Sequence, residues 1–131
     1  MSEERVEIVR RGIEAWNRHD FELGVQHLAP DVEWVPASPA AIERPVYRGL
    51  DEVSRGFEAI WDSWDTFEFD EHEVRDLGES VLWLGTVHMR GSTSGLELDQ
   101  EFANLLDFAG DQVVRVRGFR SWQEALEAAG L

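Results

Sequence analysis

From Asp99 to Phe119 the chain reads DQEFANLLDFAGDQVVRVRGF, two alternating runs joined at Ala109-Gly110-Asp111-Gln112. Gly110 and Asp111 tolerate the positive φ of a tight reversal, so this stretch predicts a β-hairpin. Alternate residues of a strand face opposite sides. Phe102, Asn104 and Leu106 therefore share one face with Val114, Val116 and Gly118. A three-residue loop, or a four-residue loop with a bulge, also lays Arg115 and Arg117 beside Glu101 and Asp99 on the other face, where opposite charges favour pairing. A one-residue slip would set the arginines against Phe102 and Leu106, so the pattern specifies one register.

The same reading extends along the chain. Val6, Val9, Ile13 and Trp16 recur at helical spacing and predict an amphipathic helix over about residues 3–18. Asp20 is placed to cap a second helix, Phe21 to Ala29, which Pro30 stops. Residues 31–35 alternate as a short strand with Val32 and Trp34 inward. Residues 36–46, with Pro36, Pro39 and Pro45, read as a loop long enough to gate or line a site. A third helix opens at Gly49 or Leu50 and runs to about Trp64, with Leu50, Val53, Phe57, Ile60, Trp61 and Trp64 as its apolar stripe. Strands are expected at about 66–76 and 81–90, and a turn over 91–95. Within 81–90 the row Val81, Trp83, Gly85, Val87, Met89 is the more apolar and is taken as inward. That puts His88 and Arg90 outside with Asp99, Glu101, Arg115 and Arg117, as ion-pair or dimer-face residues. Ser121-Trp122-Gln123-Glu124 is a capping box opening a last helix that ends at Gly130.

Helix, helix, strand, loop, helix, then a four-stranded antiparallel meander and a terminal helix is an α+β order. It predicts one domain over residues 1–131: a cone-shaped α+β barrel, its curved, mostly antiparallel sheet wrapped around the N-terminal helices and enclosing an internal pocket. At 131 residues and 43% hydrophobic, the chain is long and apolar enough for such a core.

Charge and missing residue types narrow the function. The formal net charge of −15 argues against nucleic acid and against anionic membrane as partners. The apolar run around Val81 to Val87 is too short to span a bilayer, and the acidic Met1-Ser2-Glu3-Glu4 is unlike a secretory leader, so a cytoplasmic protein is expected. There is no cysteine, and all twelve basic residues are arginine. That removes thiolate, iron–sulfur, Schiff-base-lysine and P-loop chemistry. His19, His27 and His72 share no ligand spacing, so neither a metal nor another cofactor is expected. Glu71-His72-Glu73 reads as solvated charge. Gly91-Ser92-Thr93-Ser94-Gly95 is a hairpin turn, not a nucleophile elbow.

Candidate pocket residues follow from the inward faces. Trp16, Trp34, Trp61, Trp64 and Trp83, with Phe57 and Phe102, offer an aromatic lining for an apolar or flat ligand. Asn104 is a polar residue in an inward row and needs a partner, from a neighbouring group or a ligand. Gly118, beside it, leaves room for a ligand or marks a sheet bend. Arg120 lies near the strand end, as a ligand's carboxylate partner or a solvated cation. Tyr47, the one tyrosine, either donates to a bound oxygen or anchors the loop.

The order of AWNRHDFELGVQHLAPDVEW, VYRGLDEV, SGLELDQEFANLLDF and VVRVRGF before EALEAAGL resembles the SnoaL-like proteins of the nuclear transport factor 2-like (cystatin-like α+β barrel) superfamily, over nearly the whole chain. The resemblance implies a conical pocket between helices and sheet. With the charged and apolar mix of the outer sheet face, it implies a homodimer through that face. It leaves the activity open, since relatives include cyclases, isomerases, dehydratases and epoxide hydrolases. Set against ketosteroid isomerase, the general-base aspartate falls at Pro36 or Val35, the tyrosine donor at Gly12 and the protonated aspartate at Asn104. Neither Pro36 nor Val35 accepts a proton, so an isomerase of that kind is not expected, though Asn104 retains a donor. The two-aspartate, one-arginine hydrolase pattern finds no place either. Two readings stand: a lyase-, isomerase- or cyclase-type enzyme on a small apolar or aromatic molecule, with no catalytic residue assigned, or a non-catalytic dimeric ligand-binding or accessory protein.

Overall fold

The computed structural model describes residues 2–37, 45–91 and 95–131. Much of the 36–46 loop and the centre of the 91–95 turn lie outside these. In chain order the elements are α1 (Ser2–Asn17), α2 (Phe21–Gly24), β1 (Leu28–Val35), β2 (Tyr47–Arg48), α3 (Leu50–Ser63), β3 (Trp64–Asp76), β4 (Ser80–Gly91), β5 (Glu97–Ala109), β6 (Gln112–Phe119) and α4 (Trp122–Ala128). The strands form one curved, unclosed sheet in the order β2-β1-β6-β5-β4-β3, all neighbours antiparallel except β1 and β6. The N-terminal helices cover its concave face, so the α+β barrel read from the sequence is the fold.

Periodicity placed β4 correctly. Val81, Trp83, Val87 and Met89 join the concave core with Val9, Val32, Trp34, Val53, Ile60, Phe67 and Phe69. The opposite row is not all solvent-facing. Leu82, Leu84 and Leu105 are buried with Ala103 and Ala125 in a second apolar cluster beneath α4. Ser121 caps α4 by accepting from the Glu124 N–H at 3.1 Å. The Trp122 indole donates to the Gly85 carbonyl at 2.8 Å, and its ring stacks on His72 at 4.6 Å. Of the Glu71-His72-Glu73 run, Glu71 takes both guanidinium bonds of Arg10 at 3.1 Å and Glu73 pairs with Arg75. Each member therefore has a partner.

Two expectations are corrected. The second helix is one turn, Phe21–Gly24, with the Asp20 carboxylate accepting from the Leu23 N–H. Pro30 does not terminate it but lies inside β1. The β1–β6 ladder shifts register between Leu28 and Glu33. A residue without an N–H is tolerated where the ladder is interrupted. The hairpin keeps its turn, with Gly110 at φ 63°, but not its charge pairing. Pairing outward from Ala109 and Gln112, with a one-residue shift between Asp107 and Phe108, sets Arg115 opposite Asp107 and Arg117 opposite Leu105, while Glu101 and Asp99 lie past the paired end of β6. Arg117 reaches the Asp107 carboxylate at 3.7 Å.

The N-terminal helix is fastened at both ends. Near its start, Arg5 donates to the carbonyls of Gly110 and Gly78, in two hairpin turns. At its end, the Trp16 indole donates to the Phe67 carbonyl at 2.8 Å. The Asn17 amide donates to the Phe69 carbonyl and accepts from the Phe69 N–H, both at 2.9 Å. β3 is the last strand of the sheet, so these side chains occupy backbone groups that no further strand pairs. Asn17→Ala removes both bonds to Phe69, at about 1 kcal/mol each. Chemical denaturation should show a loss of about 2 kcal/mol, with faster hydrogen exchange at the Phe69 amide than at mid-sheet amides of β4.

Candidate functional site

Between the helices and the concave face lies a cavity of about 180 Å³. Alternate residues of β5 (Gln100, Phe102, Asn104, Leu106) form one wall, as their shared parity requires. Trp34 of β1, Phe57 and Trp61 of α3, Trp16 of α1 and Phe67 and Phe69 of β3 form most of the rest. These rings are in mutual contact. Trp16 lies 5.3 Å from Phe57 and 4.9 Å from Trp61, and Trp34 lies 4.7 Å from Phe57. Such edge and tilted contacts hold the walls by ring electrostatics as well as by buried area. The exposed lining residues Arg11, Leu23, Gln100 and Arg120 mark where the space reaches the surface.

Of the residues singled out in the sequence, Trp16, Trp34, Phe57, Trp61, Phe102, Asn104 and Arg120 line this cavity. Tyr47, Trp64, Trp83 and Gly118 are placed elsewhere. Tyr47 is buried in the core against Trp34, at 5.1 Å, and would collide with a side chain at Gly56. Trp64 opens β3 and meets Phe67 edge-on at 6.3 Å. Trp83 is wholly buried behind Phe69, and its ring fills the space at Gly85, where an added Cβ would sit 2.4 Å from it. Gly118 does stand opposite Asn104. The room it leaves is taken by Ala37, whose backbone N would lie 2.9 Å from an added Cβ.

The side-chain amide of Asn104 has no hydrogen-bond partner among the described residues, although it faces the cavity. Gly12 and Pro36, the other positions set against ketosteroid isomerase, line the cavity too, but neither carries a proton-transfer group. His27 also lines it, between α2 and β1. The sequence reading considered His27 only as a metal ligand and placed it within a helix. Its one advance signal was its position just before the Leu28-Ala29 apolar step. Among the described residues no cluster of His, Cys, Asp or Glu is arranged to hold a metal ion.

His88 is on the outer face, opposite Glu68 and Asp99 in the strand ladders. Its imidazole bridges the carboxylates of Asp99 and Asp70. The bond to Asp99, then that to Asp70, holds its pKa above the ordinary 6.5, and partial burial works weakly the other way.

The match to known proteins agrees with this geometry. Residues 9–116 match the family model described as a SnoaL-like domain, and the chain belongs to that family. No match is found among curated proteins. Among solved structures, an NTF2-like protein of unknown function from Burkholderia pseudomallei is similar at 21% identity and a TM-score of 0.82, over 95% of each chain. A putative polyketide cyclase from Xanthomonas campestris pv. campestris is similar at 21% identity and a TM-score of 0.80, over 94% of each chain. A protein with a ketosteroid isomerase-like fold from Catenulispora acidiphila, in complex with trimethylamine, is similar at 18% identity and a TM-score of 0.77, over 95% of this chain and 93% of that one. At these identities the likeness establishes the shared fold. No helix among the described residues is long and apolar enough to cross a membrane.

The raised His88 pKa has a signed consequence. A group whose folded pKa exceeds its unfolded value contributes stability that is complete below the unfolded pKa and disappears as pH rises through the folded one. Urea denaturation of His88→Ala should therefore show a loss against wild type below pH 6.5 that vanishes in alkaline buffer. Because the imidazole is 40% exposed, the loss should be no more than about 1 kcal/mol. A gap that widens with pH would contradict the ion-pair account.

Proposed function

We propose that this SnoaL-like protein binds a small aromatic or apolar molecule in the cavity between its helices and sheet. The observation that carries the reading is an aromatic-walled space of about 180 Å³ into which the Asn104 amide faces without a hydrogen-bond partner among the described residues. Ligand sites are concave, mostly apolar and furnished with a few oriented polar groups. An apolar cavity of ~150 Å³ is enough to hold a benzene ring, so the size favours a molecule of one or two rings. Tryptophans in the walls supply stacking surface and a built-in optical reporter.

An enzyme of lyase, isomerase or cyclase type is the second reading, and the observation favouring it is His27 in the lining. A neutral imidazole can take a proton, and Asn104 can donate to a carbonyl oxygen as charge develops there. In the first reading the protein is a carrier, sensor or accessory subunit. In either case it acts as a homodimer through the part of the outer sheet face that α4 leaves open. Sedimentation at micromolar concentration giving only a 15.0 kDa species would remove the dimer.

A panel of small aromatic ketones, phenols and terpenoids tests the binding reading by indole fluorescence and thermal shift. At a hundredfold excess over Kd, a ligand stabilises the folded state by about 2.7 kcal/mol. The expected result is a saturable hit whose affinity falls about fivefold to tenfold in Asn104→Ala, the loss of one hydrogen bond. A cooperative melt that no compound shifts would count against a ligand site. Turnover of a hit, lost in His27→Gln while binding persists, would decide for the enzyme.

A further inference from the structure

The chain carries 27 acidic residues against twelve arginines, so an arginine has a ready supply of carboxylate partners. Most take one. Arg10 pairs with Glu71, Arg11 with Glu7, Arg18 with Glu14, Arg48 with Glu33, Arg75 with Glu73 and Arg117 with Asp107. Arg120 lines the cavity and has no ion-pair or hydrogen-bond partner among the described residues. The polar groups beside it in the described lining are Asn104, Gln100, Arg11 and His27, and none of the described lining residues is an aspartate or glutamate. In a chain of net charge −15, the charged and polar side chains that the described residues bring to this space are cations and neutral donors alone.

The strand ladder brings two of these donors together. Asn104 pairs with Gly118 across β5 and β6, and Arg120 is two residues beyond Gly118, at the position after the end of β6. A diagonal neighbour of this kind lies on the order of 7 Å away between Cβ atoms. That is within the reach of an arginine side chain, although Ala37 packs against the intervening Gly118.

We propose that the cavity's ligand is a small aromatic carboxylate, its ring between Trp34, Phe57 and Phe102 and its carboxylate held by the Arg120 guanidinium and the Asn104 amide. This rests on the cavity being the ligand site. A planar guanidinium matches a carboxylate through two parallel bonds, and a side-chain amide supplies a further donor to either oxygen. A neutral ligand would leave the exposed guanidinium to water and gain no charge-assisted bond from it, and a cationic one would be repelled. The aromatic walls set the remaining volume for one or two rings.

Calorimetry at pH 7 with 2-naphthoate and its neutral isostere 2-naphthamide separates the two levels of the reading. The expected result is that wild type binds the carboxylate at least roughly tenfold more tightly than the amide, the scale of one charge-assisted hydrogen bond. The ratio should collapse to near one in Arg120→Gln and be partly kept in Arg120→Lys, which retains charge without the planar fork. Arg120 is exposed, so neither change threatens folding, and a thermal melt checks this. Equal affinity for the two probes in wild type, or a preference that survives Arg120→Gln, overturns the carboxylate assignment and leaves the cavity as a site for neutral ligands. Failure of both probes to bind, together with silence across the neutral panel, overturns the site itself.

Discussion

The cavity exists because one edge of the sheet is finished by side chains instead of by another strand. β3 ends the sheet, and an uncovered edge exposes backbone donors and acceptors that invite pairing with another chain. Trp16 and Asn17, the last two residues of α1, take up the Phe67 carbonyl and both backbone groups of Phe69. The helix is thereby held across the mouth of the curved sheet. Trp16 is at once a hydrogen-bond donor to the edge and the centre of the ring cluster of Phe57, Trp61, Phe67 and Phe69. Edge protection, helix placement and cavity wall are one set of contacts, so a change that loosens the seam must also change the shape of the space behind it.

How much of this was legible depended on how local the physics was. The long alternating runs of β4 and β5 fixed faces correctly, because a period of two is set within each strand; in β6 the shift beside Asp107 puts Val113, and not Val114, on the concave side with Val116. That is why Phe102 and Asn104 could be placed inward from the sequence, as the shorter alternation of β1 placed Trp34. The pairing of Arg115 and Arg117 failed because the strands zip outward from Ala109 and Gln112: the arginines then fall opposite Asp107 and Leu105, and Glu101 and Asp99 lie beyond the paired end of β6. Pro30 was misread for a related reason. Its rule forbids a regular ladder, and the ladder between Leu28 and Glu33 is irregular.

Alternation also gives a side without giving a depth. Trp83 faces inward, yet it lies behind Phe69 and is completely buried, packed into the space that Gly85 leaves. Tyr47 faces the same core and is held there by Trp34 and the close approach of Gly56. Of the two readings of Gly118, room for a ligand beside Asn104 or a sheet bend, the room is occupied by Ala37. Conversely His27 reaches the cavity only because α2 stops after one turn and the chain reverses into β1. These are tertiary facts, decided by which neighbour arrives first at a given space, and no single-strand pattern contains them.

An acidic protein with a cation-bordered cavity raises the question of which electrostatic effect governs a ligand. The two act at different ranges. Exposed charges beyond about 8–10 Å are largely screened at physiological ionic strength, so most of the carboxylates act on solubility more than on the cavity. A guanidinium in direct contact is screened far less, and its bonds to an oxyanion are geometric as well as coulombic. For an anion in such a cavity the local group would decide what is held, while the remote field would slow its approach without determining which one fits. The same separation explains why the ion pairs that occupy Arg10, Arg48 and Arg117 matter for the site. Each pairs with a carboxylate that would otherwise add to the surrounding negative charge, and of the two arginines in the described lining, Arg11 and Arg120, only Arg11 has an ion-pair partner among the described residues.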